Sequence, residues 1–421
     1  MKWFLYELVF ALGFPFLLPG FLLRMMRRGG YRARMGDRFA LYPPGITARL
    51  RAHKGRWVWV HAVSVGEVQV AGQLMREWRR QEPGVRFCFS TTSSTGWQVA
   101  RREVTENDVL IYNPLDFPNF VKSALATVEP RAVILTESEI WPLFIRRAAK
   151  NRIPLFLINA RVSDRSAPRY ACFRFLFKDV FAAFTRIFAQ SSLDKARLIA
   201  AGAPESAIET TGSFKFDVAR RNPAKEAEMR AWIDPGRILL GGSTWPGEDK
   251  ALLDILPGLP ADVKLVLAPR HFEKADAVES NIKNAGYVCV RRSRGDKAPE
   301  QGRAVFLADT TGELMGLYGI ATVVFVGKTL SAKGGQNMIE PCLCGKAVLV
   351  GPHTENFRPV MSDLLEARAI EVVPTAAALA KRVEELLSRG DGGLGLRAQE
   401  CVARRRGVVP RCVQEIRGFL A

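Results

Sequence analysis

The chain has 421 residues, of which 48% are hydrophobic and 24% charged, enough for two domains with cores of their own. That composition excludes a mainly disordered chain, a collagen and a disulfide-scaffolded miniprotein. Its 61 Lys and Arg against 42 Asp and Glu leave a formal charge of +19, which calls for anionic partners: nucleic acid, acidic lipid or phosphorylated small molecules.

The first predicted element is an anchor. Residues 3–23 read WFLYELVFALGFPFLLPGFLL, interrupted by Glu7, Pro15 and Pro19. A helix needs about 20 residues to cross hydrocarbon, so the run is long enough. No small-x-small cleavage site follows, so removal as a signal peptide is not expected. Arg24, Arg27, Arg28, Arg32, Arg34 and Arg38 come next, and the positive-inside rule keeps them and the rest of the chain in the cytoplasm. The alternative is a buried N-terminal helix of a soluble domain.

From Trp57 onwards, WVWVHAV, VRFCFSTT, VLIYNP, AVILT, IPLFLIN and RIFAQ are short apolar runs separated by amphipathic stretches. This is the pattern of a parallel sheet with helical crossovers. After the polar stretch 220–230 a second series runs RILLGGS, VKLVLAP, YVCVR, AVFLADT, TVVFVGK, AVLVGP and IEVV. The predicted division is an anchor segment over 1–30, an N-terminal Rossmann-like domain over 31–218 and a C-terminal one over 219–421. Two such α/β domains facing one another leave a cleft at the C-terminal edges of their strands, where ligands bind. Seven cysteines without a C-x-x-C suit reduced thiols, and four scattered histidines make a His-rich metal site improbable.

The chemistry-bearing motifs fall at strand ends. Ser64-Val65-Gly66-Glu67 lies where the first strand turns into its helix. A carboxylate there is favoured by the helix dipole and suits a general base; equally, Glu67 stabilises the first turn of its own helix. Thr136-Glu137-Ser138-Glu139 ends AVILT, where acidic residues bind metal, stabilise a developing cation or cap a helix. The chain has no D-x-D, which argues against a metal-dependent sugar-nucleotide transferase. The second domain has Gly-bearing turns at Gly241-Gly242-Ser243-Thr244, Thr310-Thr311-Gly312-Glu313 and Gly334-Gly335-Gln336-Asn337. Each is able to present backbone N–H groups to a phosphate or ribose, and none is a P-loop. With Pro269-Arg270-His271 and Asn337-Met338-Ile339-Glu340 they point to a nucleotide cleft.

VHAVSVGEV, YNPLDFP, TESEIWP, INARVSDRS, TGSFKFD, GSTWPGE, LAPRH, DTTGELMGLYGIA, GGQNMIEP and VLVGPHTENF resemble, in order, the signature blocks of bacterial Kdo transferases, from the apolar N-terminus to the last helix. The resemblance implies a metal-independent, inverting glycosyltransferase of GT-B fold. It implies transfer of 3-deoxy-D-manno-oct-2-ulosonic acid (Kdo) from CMP-Kdo to a lipid A precursor, on the cytoplasmic face of the inner membrane. On this resemblance Glu67 matches the catalytic base, and Glu137 and Lys215 match positions that stabilise the transition state. Pro269, Arg270, Thr311, Gly312, Glu313, Asn337, Met338, Ile339 and Glu340 match the CMP-binding blocks. The implied partners are CMP-Kdo, the lipid A precursor and the anionic membrane surface; neither cofactor, metal nor nucleic acid is expected.

The chain departs from that pattern at Gln336, where the family commonly has His, and at Lys328, where a second Gly is usual. Gln336 cannot carry charge, so an ionic role there is in doubt; Lys328 either contacts phosphate or points outward. Two alternatives stand beside the resemblance. One is a UDP-sugar-dependent lipid glycosyltransferase of the same fold. The other is a basic, membrane-docked nucleic-acid-binding protein, although no nucleic-acid motif is present.

Overall fold

The structure, a computed structural model, describes residues 32–420 apart from 219, 234, 300 and 301, together with 2, 3, 6–8, 12, 13 and 20. Most of the expected anchor over 1–30 lies outside the described residues. Among those described, no helix is long and apolar enough to cross a membrane. Arg34 and Arg38, counted above with the basic cluster, are built into the fold. Arg34 pairs with the buried Asp37 through Nη2 at 2.7 Å. Arg38 is 2% exposed and lies over the Tyr112 ring at 4.8 Å.

Two compact units make up the chain: Met1–Phe214 with Gly407–Ala421, and Lys215–Arg406. The first described sheet comprises β1 (Trp57–His61), β2 (Arg86–Thr91), β3 (Val109–Tyr112), β4 (Ala132–Thr136), β5 (Leu155–Ala160), β6 (Arg186–Ala189) and β7 (Ile208–Thr210). All pairings are parallel, in the order β3-β2-β1-β4-β5-β6-β7. Alternating side chains feed two cores: Trp57 and Trp59 enter one, Val58 and Val60 the other. Burial on both faces is why these strands read as unbroken apolar runs. Polar residues appear where the strands end, at His61 and Thr136.

The second described sheet comprises β8 (Arg237–Thr244), β9 (Val263–Pro269), β10 (Val288–Arg291), β11 (Ala304–Leu307), β12 (Val323–Val326), β13 (Ala347–Val350) and β14 (Glu371–Val372). It is also parallel, in the order β10-β11-β9-β8-β12-β13-β14. In each sheet the first strand in sequence has neighbours from opposite directions of the winding. The switch points, where such sheets form ligand crevices, therefore lie between β1 and β4 and between β8 and β12.

The expected domain boundary at 218/219 moves to 214/215, and the end of the chain does not stay with the second unit. Helix Val408–Gly418 buries Val408, Val409, Cys412, Val413 and Ile416 in the first unit's core beside Val58, Val60 and Phe89. Its Arg411 Nη2 donates to the Thr211 carbonyl at 2.9 Å.

Candidate active site

At the first unit's switch point, Ser64 caps helix Val65–Gln81 from extended backbone. Its hydroxyl accepts from Glu67 N–H at 3.3 Å and donates to Glu67 Oε1 at 2.9 Å, while Val63 N–H donates to Oε2 at 2.9 Å. The bonds that finish the first turn also fix the carboxylate. Burial raises this carboxyl above the ordinary glutamate range, and the Glu137 charge adds to the rise.

Glu137 begins the turn after β4 with φ +52°, a left-handed conformation that a non-glycine residue adopts at a cost of roughly 1–3 kcal/mol. Asn159, in the neighbouring β5, has φ +50°. Asn159 Nδ2 donates to Glu137 Oε1 at 3.2 Å and Arg161 Nε to Oε2 at 2.6 Å. Glu137 is therefore an ion-paired carboxylate at the sheet edge. Glu139, two residues on, accepts from Trp141 Nε1 at 3.1 Å. Burial, then the charges of Glu67 and Glu137, push its carboxyl up to about 8. The fully buried His61 closes the group, its Nδ1 2.9 Å from Ser90 Oγ, and burial pushes its ring down to about 3.

In the second unit the turn after β8 and the loop after β12 are joined by Glu248, which is 1% exposed. Its Oε2 accepts from the N–H groups of Trp245 and Lys328, both at 2.8 Å. Its Oε1 accepts from Thr329, Leu330 and Ser331 at 3.0–3.3 Å. Gly327 is required at this crossing, since a Cβ there would lie 2.3 Å from the Ser243 carbonyl oxygen. Lys328 adopts φ +57° and folds its ammonium over the Trp245 ring at 4.7 Å, so it does not point outward.

Pro269 ends β9, and Arg270 N–H donates to the Thr244 carbonyl at 3.1 Å, leaving the arginine side chain exposed. Beside them a cavity of about 270 Å³ is lined by Thr244, Trp245, Pro269, His271, Lys274 and Asn281. After β11, Thr311 and Gly312 are exposed, while the buried Glu313 accepts from Arg292 Nε at 2.9 Å and from Thr310 Oγ1. After β12, Asn337 Oδ1 accepts from Ile339 N–H at 3.1 Å, and burial raises the Glu340 carboxyl. Met338 and Ile339 are wholly buried in the core, so they are not open to a ligand, and of this block only Asn337 and Glu340 are partly exposed.

Glu67 and Glu137 thus share one edge with Glu139 and His61, while the CMP-block residues lie at the strand ends of the second unit. Lys215 belongs to that second unit, its Nζ 3.4 Å from the Asn356 carbonyl oxygen and 4.4 Å from the Phe357 ring centroid. Arg161, Asn159, His61 and Glu248 were not singled out as site residues. Only the second acid of Thr136-Glu137-Ser138-Glu139 and a histidine ending an otherwise apolar strand signalled part of this. Among the described residues no cluster of His, Cys, Asp and Glu has the arrangement of a metal site.

Residues 33–218 match the family model described as 3-Deoxy-D-manno-octulosonic-acid transferase (kdotransferase). The chain is 30% identical to the 3-deoxy-D-manno-octulosonic acid transferase of Haemophilus influenzae, over 99% of this chain and 98% of that one. It is 33% identical to the Bordetella pertussis enzyme of the same name, over 87% of this chain and 88% of that one. Among solved structures it is similar to a glycosyltransferase from Rickettsia africae, with a TM-score of 0.57 at 15% identity, over 87% and 98% of the two chains. Anabaena Alr3699/HepE in complex with UDP also gives a TM-score of 0.57, at 14% identity, over 87% and 99%. At such identities the likeness is one of fold, two parallel α/β units of the GT-B kind.

Proposed function

This chain belongs to the Kdo transferase family and is a glycosyltransferase of lipopolysaccharide synthesis; from that premise we propose that it moves Kdo from CMP-Kdo to the glucosamine disaccharide of a lipid A precursor. Glu67 takes the proton of the acceptor hydroxyl as its oxygen attacks the anomeric carbon from the face opposite CMP. The bond to phosphate breaks and CMP leaves, so the anomeric configuration inverts. Glu137 stands near the carbon as it gains cationic character, and Arg270, Lys215 and Lys328 supply positive charge for the phosphate and the donor carboxylate. Thr311, Gly312 and Glu313 take the nucleoside together with Asn337 and Glu340, with Glu313 or Glu340 accepting from ribose hydroxyls.

One observation carries the proposal: Glu67 is a buried carboxylate with a raised proton affinity, fixed by its own helix cap at a switch point. CMP is a phosphate monoester that leaves with little need of protonation, and the basic residues of the second unit suit its charge without a metal. The membrane part of the proposal rests on the apolar run over 3–23 and the arginines after it, which fit the anionic cytoplasmic face of the inner membrane.

Mass spectrometry of a tetra-acylated lipid A precursor, incubated with the protein in excess EDTA, tests the reaction. CMP-Kdo is expected to add one or more Kdo masses and UDP-sugars none. Transfer from a UDP-sugar overturns the donor, and EDTA inhibition reversed by magnesium overturns metal independence.

A further inference from the structure

The group beside Glu67 and Glu137 contains an unmatched acceptor. Trp59 Nε1 donates to Ser90 Oγ at 2.8 Å, and Ser90 donates to Asn113 Oδ1 at 3.2 Å. The Val60 carbonyl oxygen, 3.4 Å away, is a second acceptor for that hydroxyl; with the Ser90 proton given to either, the 2.9 Å contact with His61 Nδ1 requires the ring to be the donor. A neutral imidazole with its proton on Nδ1 has a bare lone pair on Nε2. That atom is buried without a hydrogen-bond partner, and the nearby Glu139 Oε2 stands 3.9 Å from it. An ionised Glu139, its side chain 19% exposed, would set acceptor against the buried acceptor of His61, whereas a protonated one has an O–H to give.

We infer that Glu139 is held as a neutral carboxylic acid whose O–H is aimed at His61 Nε2, a positioning pair that keeps the three-carboxylate group at two negative charges and leaves Glu67 to act as its base. The inference rests on the proposed role of Glu67, and it goes beyond that role by giving Glu139 a fixed protonation state. The surroundings agree. Glu67 faces Glu139 from helix Val65–Gln81, Glu137 from the same turn, Tyr170 from helix Ala167–Cys172 and His61 from β1. The nearby cation Arg161 is bound to Glu137. Burial and the two carboxylates push Glu139 up to about 8, and burial pushes His61 down to about 3, so both favour the proton on the carboxyl. Above pH 8 Glu139 ionises and places a third negative charge beside Glu67 and an anionic donor.

Kinetics of the full-length protein with CMP-Kdo test this between pH 6 and 9.5. Glu139→Ala is expected to lower kcat about tenfold or more. Glu139→Gln, neutral and still able to donate to Nε2, is expected to recover most of that loss at pH 7 and to lack the wild-type alkaline decline near pH 8. Infrared difference spectra at pH 7 are expected to show a protonated-carboxyl band that Glu139→Gln removes, a readout that needs no turnover. A Gln variant as inactive as the Ala variant, an alkaline decline unchanged in the Gln variant, or an unchanged infrared band overturns the inference. Failure of the wild type to use CMP-Kdo overturns the reaction instead, and the infrared comparison still decides the state of Glu139.

Discussion

Glu67 accepts from Val63 N–H and Ser64 O–H, and that pair of bonds restricts the carboxylate to one orientation before any substrate arrives. A general base contributes roughly 10²–10⁴-fold, so Glu67→Gln is expected to lower kcat by that factor, measured at saturating substrates. Calorimetric CMP affinity should stay within twofold, because the residues proposed to hold CMP lie in the other unit. Burial raises the Glu67 carboxyl, so the acid limb of the wild-type rate should lie above pH 4.5, with activity lost as pH falls through it. The placement of Glu67 in the first turn of a helix was readable from Ser64-Val65-Gly66-Glu67, since a helix start follows from the residues alone. The placement of Glu139 beside His61 was not: His61 ends β1 and Glu139 lies in the turn after β4, and their spacing along the chain carries no periodic signal.

At the scale of elements, Glu248 does the most with one side chain, gathering five backbone N–H groups from two loops. Glu248→Gln puts an amide against some of those donors and leaves them unpaired at about 1–3 kcal/mol each. The expected result is a lower denaturant midpoint for the second unit and a raised KM for CMP-Kdo, with acceptor KM unchanged. Nothing in GSTWPGE announces this, because an acid after a glycine turn reads first as an ordinary helix start. The strands themselves were legible where both faces are buried, as in WVWVH and AVILT. Ile208–Thr210 escaped notice because three residues with one buried side chain leave no pattern. The polar stretch over 220–230 contains most of helix Pro223–Trp232, whose Met229 is buried in the second unit's core. Helix Val408–Gly418 has an apolar face, but a helical stripe says only that something covers it, not which sheet.

For the whole molecule, that last helix makes the two units unequal, since the second is continuous and the first is closed by residues from the far end of the chain. Val408, Val409, Cys412, Val413 and Ile416 are each at most 3% exposed. Burying a large aliphatic side chain contributes about 1.5–3 kcal/mol, so together they match a typical domain's net stability of ~5–15 kcal/mol. Deleting residues 407–421 is expected to unfold the first unit while residues 215–406 survive limited proteolysis as a folded fragment. Equal protease resistance of both units in the truncated chain would refute this.

The same return of the chain bears on how the protein is made. Synthesis delivers all seven strands of the first sheet, and then the whole of the second unit, before the helix that completes the first core leaves the ribosome. At about 5–20 residues per second, the intervening segment takes roughly 10–40 s to emerge. Through that interval a sheet face bearing Val58, Val60, Phe87 and Phe89 lacks part of its cover. The second unit is then the first to reach its native state, and the nascent first unit is the stage at which a chaperone has an apolar surface to hold.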